Sequence, residues 1–202
     1  KAENTSRDDG KTAVGDKVRY VTPLKNSHAG TAWMDALVKD EIPEGLEPET
    51  GSILLTLPDG TEQAVDDAAY DEKTRILAVT CGHLYGGQEV KLSFTAIVTE
   101  AAVDADIGNV AVAVGTLPSK WNPDAENPAP GSPFAPPSGW PAYERGHETV
   151  KSPAAYPPGT DEKGGVLKGP GSDATTIAKK RLAQTGDEML AALTMGVALA
   201  AS

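Results

Sequence analysis

The sequence predicts an all-β chain. Three observations carry that reading. Apolar residues recur at every second position in short runs, the period of a half-buried strand. Glycine, proline, asparagine and aspartate clusters separate those runs, which is the punctuation of turns. No apolar stripe of helical period stands out ahead of the C-terminal end. About seven short strands spaced in this way indicate an antiparallel sandwich of the immunoglobulin-like kind, with a barrel as the alternative closure.

The elements follow in order along residues 1–116. Val18, Tyr20, Thr22 and Leu24 alternate with Lys17, Arg19 and Val21, and the segment Asn26 to Gly30 makes a turn. Pro23 cannot donate to a ladder, so this strand is expected to lie at an edge or to carry a bulge there. Met34, Ala36, Val38 and Ile42 share one face of the next strand, and Asp35, Lys39 and Glu41 the other; Pro43-Glu44-Gly45 ends it. Ile53 to Leu57 is closed by Pro58-Asp59-Gly60, a turn whose residues preset its dihedrals. Gln63 to Val65 and Arg75 to Thr80 are shorter runs, and Gly86-Gly87 is a further turn. Val90, Leu92, Phe94, Ala96 and Val98 give the cleanest alternation in the chain, and Val110 to Val114 is a continuous apolar run suited to a core strand.

Composition bounds the function. The chain has 202 residues and a formal charge of −11, which argues against nucleic acid and against an anionic membrane surface as partners. One cysteine excludes an internal disulfide framework. Twelve of the 16 prolines fall between positions 118 and 170. Such a stretch is poor in ladder donors, so residues 117–171 are expected to form a Pro/Gly-rich arm without regular strands. Its aromatic residues Trp121, Phe134, Trp140, Tyr143 and Tyr156 are expected to pin it against a folded face, with a carbohydrate platform as the other use of its tryptophans. Residues 172–202 hold a polar linker, the basic triplet Lys179-Lys180-Arg181 and an apolar end. The chain opens on Lys1, and the expectation is the mature or C-terminal part of a longer precursor.

Two polar residues sit where the pattern forecasts a core. Asp40 is in phase with Met34, Ala36, Val38 and Ile42, and Asn109 lies inside the apolar run Ile107 to Val114. A carboxylate buried there is costly unless it is paired, hydrogen-bonded or protonated. The plain alternative is that Asp40 caps the Ile42-Pro43 turn and Asn109 is a satisfied edge residue.

The strings VGDKVRYVTPLKN, VKDEIPEGLEPE and DIGNVAVAVG occur in that order within residues 1–116. Together they resemble the repeat of isopeptide-forming, immunoglobulin-like stalk domains in fimbrial and adhesin surface proteins of Gram-positive bacteria. The resemblance implies a lysine of the first strand bonded covalently to an asparagine of the last, assisted by a buried acid. Matched residue by residue, the acid is Asp40 and the asparagine Asn109. Lys1 is the lysine upstream of the Val14-Gly15-Asp16 turn with suitable spacing, whereas Lys11 and Lys17 lie too near that turn and should face solvent. Burial would keep the amine neutral and nucleophilic, and a protonated Asp40 would polarise the amide and move protons as ammonia leaves. This is one self-modification, with no turnover of an external substrate and no cofactor.

Leu182-Ala183-Gln184-Thr185-Gly186 resembles a sortase sorting signal of the L-A-x-T-G form. The resemblance implies cleavage after Thr185 and attachment to cell-wall peptidoglycan, hence sortase as a partner, an extracellular, wall-anchored location, and residues 117–171 as a wall-spanning segment. The uncharged segment from Met189 to Ser202 has 14 residues, short of the ~20 that span a bilayer. Elsewhere His28, His83 and His147 lack metal-ligand spacing, Cys81 reads as a packed or partly exposed thiol at a strand end, and Asp104-x-Asp106-x-Gly108 reads as a solvated turn, so no metal site is expected. The function expected is a stalk module. The alternative is an adhesin module that binds a host matrix protein or carbohydrate through its loops or the aromatic arm.

Overall fold

A computed structural model of the chain describes residues 1–27, 32–117 and 146–169. Its strands form two antiparallel sheets packed face to face. The first sheet runs in the order β1 (Ala2–Asn4), β2 (Lys17–Lys25), β9 (Glu89–Val98), β5 (Leu54–Thr56), β6 (Glu62–Ala64), with β4 (Leu46–Pro48) also paired to β9. The second runs β11 (Gly146–Lys151), β10 (Val110–Leu117), β3 (Ala32–Glu41), β8 (Ile76–Tyr85), β7 (Tyr70–Asp71). The only helical turns among the described residues are two short 3₁₀ segments, Asp67–Ala69 and Glu100–Ala102. The fold is the immunoglobulin-like sandwich that the alternation predicts.

The core lies between the sheets. Val18, Tyr20, Leu92, Phe94 and Ala96 come inward from the first sheet, and Val38, Leu77, Val79, Ala111 and Ala113 from the second. Tyr20 and Phe94 are directly opposite on β2 and β9, and their rings stack at 5.3 Å between centroids. Each large side chain so buried is worth about 1.5–3 kcal/mol.

Three local features correct the pattern. Along β3 the buried residue is Trp33, and Met34 is only partly covered. The cause is a bulge: Asp35 takes φ 52° and the pairing with β8 shifts register between Trp33 and Ala36, which reverses the faces upstream. Gly115 makes room for the displaced indole, since a Cβ there would meet Trp33 Nε1 at 2.0 Å. Next, β8 extends to Tyr85, so Cys81 lies in mid-strand rather than at its end, buried, with its thiol pushed up to about 11 by burial.

The third correction concerns the expected arm. Residues 146–151 form β11, an edge strand paired with β10, and residues 152–169 continue as a strap that bonds to Ala111 and Asn109 and then to residues 12–14. The reason is the spacing of the prolines: none lies between Pro141 and Pro153, which leaves a run long enough to pair on one side. The strap then bonds to the N-terminal segment. Leu167 N donates to Thr12 O (2.8 Å), Val14 N donates to Leu167 O (2.9 Å), and Val166 is buried in the core. Tyr156 does pin this segment: its ring packs on Gly108, where a Cβ would meet it at 2.5 Å. Trp121, Phe134, Trp140 and Tyr143 lie outside the described residues, as do His28 and the whole of 172–202.

Pro23 sits in β2 as its chemistry requires. Val21 N donates to Lys1 O at 2.9 Å, so the nitrogen two residues on faces the same edge, beyond the end of β1, where no donor is used among the described residues.

Candidate functional site

Asp40 and Asn109 meet in the core. Asp40 is opposite Ala111 across the β3–β10 ladder and opposite Leu77 on the other side. Asn109 precedes β10 and is in phase with Ala111 and Ala113, so its side chain enters the same face diagonally from Asp40. The small Ala111 leaves room for them to touch. Asn109 Nδ2 donates to Asp40 Oδ2 at 2.9 Å. Asp40 is 0% exposed and Asn109 3%. The Asn109 backbone is fixed by the strap, with Asn109 N donating to Ala155 O (3.0 Å) and Ala155 N donating to Asn109 O (2.8 Å).

The pair is incompletely satisfied. Asp40 Oδ1 and Asn109 Oδ1 are buried without a hydrogen-bond partner, and so is Tyr20 Oη. Burial pushes the Asp40 carboxyl up to about 6; the hydrogen bond from Asn109 and the positive chain terminus at Lys1 pull the other way. Burial, with Asp40 adding to it, raises the Tyr20 phenol well above its ordinary value. A cleft of about 510 Å³ opens onto Asn109 between the β2 edge and the strap, lined also by Lys1, Tyr20, Val38, Ala111 and Ser152. A buried acid raised to about 6 exchanges its proton close to neutral pH, and bonded to a primary amide it can act as donor to that amide and as proton carrier at its carbon.

Lys1 reaches this site through its backbone. Its amino group donates to Val21 O at 2.9 Å, and its charge acts on Asp40. Its side chain is 76% exposed and lies with Glu3, Nζ to Oε2 3.4 Å, because strand parity directs Ala2 and Asn4 inward and Lys1 and Glu3 outward. Lys17 pairs with Glu49 at the surface, as expected of it. Leu182, Ala183, Gln184, Thr185 and Gly186 lie outside the described residues.

A second polar cluster was not anticipated. Asp16 is buried, accepts from Asn4 Nδ2 (2.9 Å) and Ala13 N (2.9 Å), and pairs with Arg7 Nε at 2.7 Å. It ties the first strand to the turn ahead of β2. The signal was available, since Asp16 is in phase with Val18 and Tyr20. Among the described residues no group of three or more His, Cys, Asp or Glu is placed to hold a metal ion. His83 Nδ1 instead accepts from Asp35 N at 3.2 Å. Asp106 Oδ1 accepts from Gly108 N at 2.9 Å, the turn expected there. No helix of the described residues is long and apolar enough to cross a membrane.

The described geometry is thus an antiparallel immunoglobulin-like sandwich with a buried acid–amide pair beside its first strand. A scan against protein-family models finds no match, and a search of curated proteins finds none. Among solved structures the chain is similar to domains D2 and D3 of the major pilin SpaD from Corynebacterium diphtheriae, at 16% identity and TM-score 0.40 over 57% of this chain and 45% of that one. It is similar to the collagen-binding subdomain of the Enterococcus faecalis surface protein ACE at 10% identity and TM-score 0.38, covering 74% of this chain and 90% of that one. The major pilin subunit BcpA of Bacillus cereus matches at 13% identity and TM-score 0.41, over 79% of this chain and 40% of that one. The chain therefore spans less than half the length of the two pilin chains.

Proposed function

We propose that this chain is a stalk module of a bacterial surface protein, stiffened by a self-formed isopeptide bond between a first-strand lysine and Asn109, with Asp40 as the proton-transfer acid. The observation that carries the reading is the buried 2.9 Å contact between Asp40 and Asn109 with an oxygen of each left unpartnered. An orphaned buried oxygen costs about 1–3 kcal/mol. The secondary amide formed at Asn109 keeps one N–H to donate to Asp40, in place of the Nδ2 bond that leaves with ammonia. Lys1 is the lysine proposed. Lys1 lines the cleft, and its side chain must turn from Glu3 into that opening for Nζ to reach Asn109 Cγ.

The test is intact mass. The native chain should be one ammonia lighter than its sequence, and Asp40→Ala should restore the full mass. A native chain at full mass would remove the isopeptide from the account. The surface location rests separately on residues 182–186, which resemble a sorting signal. Sortase and peptidoglycan are the partners proposed through it.

A further inference from the structure

We propose that Tyr20 is a third functional residue of this site: its phenol O–H donates to Asn109 Oδ1 as that oxygen takes up negative charge. The inference rests on the isopeptide reading above and adds a role that the reading does not contain.

The argument begins with unpaired atoms. Tyr20 Oη, Asp40 Oδ1 and Asn109 Oδ1 are each buried without a hydrogen-bond partner. Two of these three are acceptors, Asp40 Oδ1 and Asn109 Oδ1; the phenol supplies a donor. Tyr20 is 1% exposed and faces the same cleft as Asn109. Its ring is held by the stack on Phe94 and lies opposite Ala2, a small residue, so it borders the first strand from which the amine must come. Ser152 is already committed elsewhere: its hydroxyl donates to Pro153 O and accepts from Ala111 N. The Asn109 amide already uses one N–H on Asp40. Its oxygen is what remains to be stabilised.

The step balances as follows. The neutral amine nitrogen bonds to Asn109 Cγ, and the C=O π pair moves to Oδ1, where the Tyr20 O–H meets it. Asp40 gives its proton to Nδ2 and takes one from the attacking amine. The Cγ–Nδ2 bond breaks, ammonia leaves, and the carbonyl re-forms as a secondary amide. Nothing is oxidised or reduced. A fixed donor at a developing oxyanion in a water-poor site is typically worth 10²–10³ in rate.

The experiment follows ammonia loss by intact mass at intervals after cell-free synthesis of the full chain. Tyr20→Phe should react about a hundredfold more slowly. Incorporating 4-fluorophenylalanine at position 20 fills the oxygen's space without a donor and should be as slow. Incorporating 3-fluorotyrosine, a stronger acid of nearly the same shape, should restore the native rate or exceed it. Circular dichroism checks that each chain is folded. Equal rates for native and Tyr20→Phe chains overturn the role of Tyr20 and leave the isopeptide intact. A native chain that never loses ammonia overturns both.

Discussion

At the scale of single residues, Asp40 makes the fold pH-dependent in a direction opposite to a salt-bridged carboxylate. Burial holds its folded-state value at about 6, against 3.8 for the free group. The folded chain therefore binds more protons than the unfolded one between those values, and stability falls as pH rises through that window. The contribution is complete below about pH 4 and lost past about pH 6, a change of about 3 kcal/mol. In a Lys1→Ala chain, where the proposed bond cannot form, urea midpoints should drop from pH 4 to pH 7. Asp40→Asn in the same background should flatten that drop; parallel profiles would contradict a buried, proton-retaining Asp40. Asp40 and Asn109 were legible as buried because each is in phase with apolar neighbours. Their contact was not, since it depends on the β3–β10 register and on the size of Ala111. The direction of the Lys1 side chain is a matter of strand parity, which spacing from a downstream turn does not reveal.

At the scale of elements, the N-terminal segment and the strap hold one another. Ala13 and Leu167 form a parallel bridge, and Thr12 Oγ1 donates to Pro158 O at 2.8 Å. Gly159, at φ 75°, passes so close to Gly10 O that a Cβ would stand at 2.7 Å. Val166 is the strap's apolar anchor, 7% exposed. Val166→Ala removes two methyl groups from the core and should cost about 1.5 kcal/mol in urea unfolding. It should also hasten proteolysis within 152–169, where a midpoint and cleavage pattern unchanged from native would show that the strap is not anchored there. The clean alternations marked β2 and β9 readily, and the continuous apolar run marked β10. The strap was missed because its single bonds to the backbone of residues 12–14 leave no periodic trace, and because proline density outweighed the short proline-free run of β11. The bulge at Asp35 was missed for a related reason: a positive φ at a non-glycine residue is set by the pairing of β3 with β8, not by local sequence.

At the scale of the molecule, the strap and the acid–amide pair converge on one place. The strap bonds the Asn109 backbone through Ala155, and the proposed cross-link would bond its side chain to the first strand. The strap also bonds Thr12 and Val14 through Leu167, so the N-terminal segment is held at the strap by hydrogen bonds and would be held at Asn109 by the cross-link. The wall attachment proposed for it makes a separate prediction. Thr185→Ala in the full-length precursor should move the protein from the wall fraction to membrane or medium, and unchanged attachment would remove sortase from the account. The central claim is the covalent bond, and peptide mapping reads it most directly. Proteolysis of the native chain followed by mass spectrometry should give a branched peptide that joins the N-terminal residues to the segment containing Asn109, lighter by one ammonia than its two parts. A linear Asn109 peptide with its side-chain amide intact would contradict it.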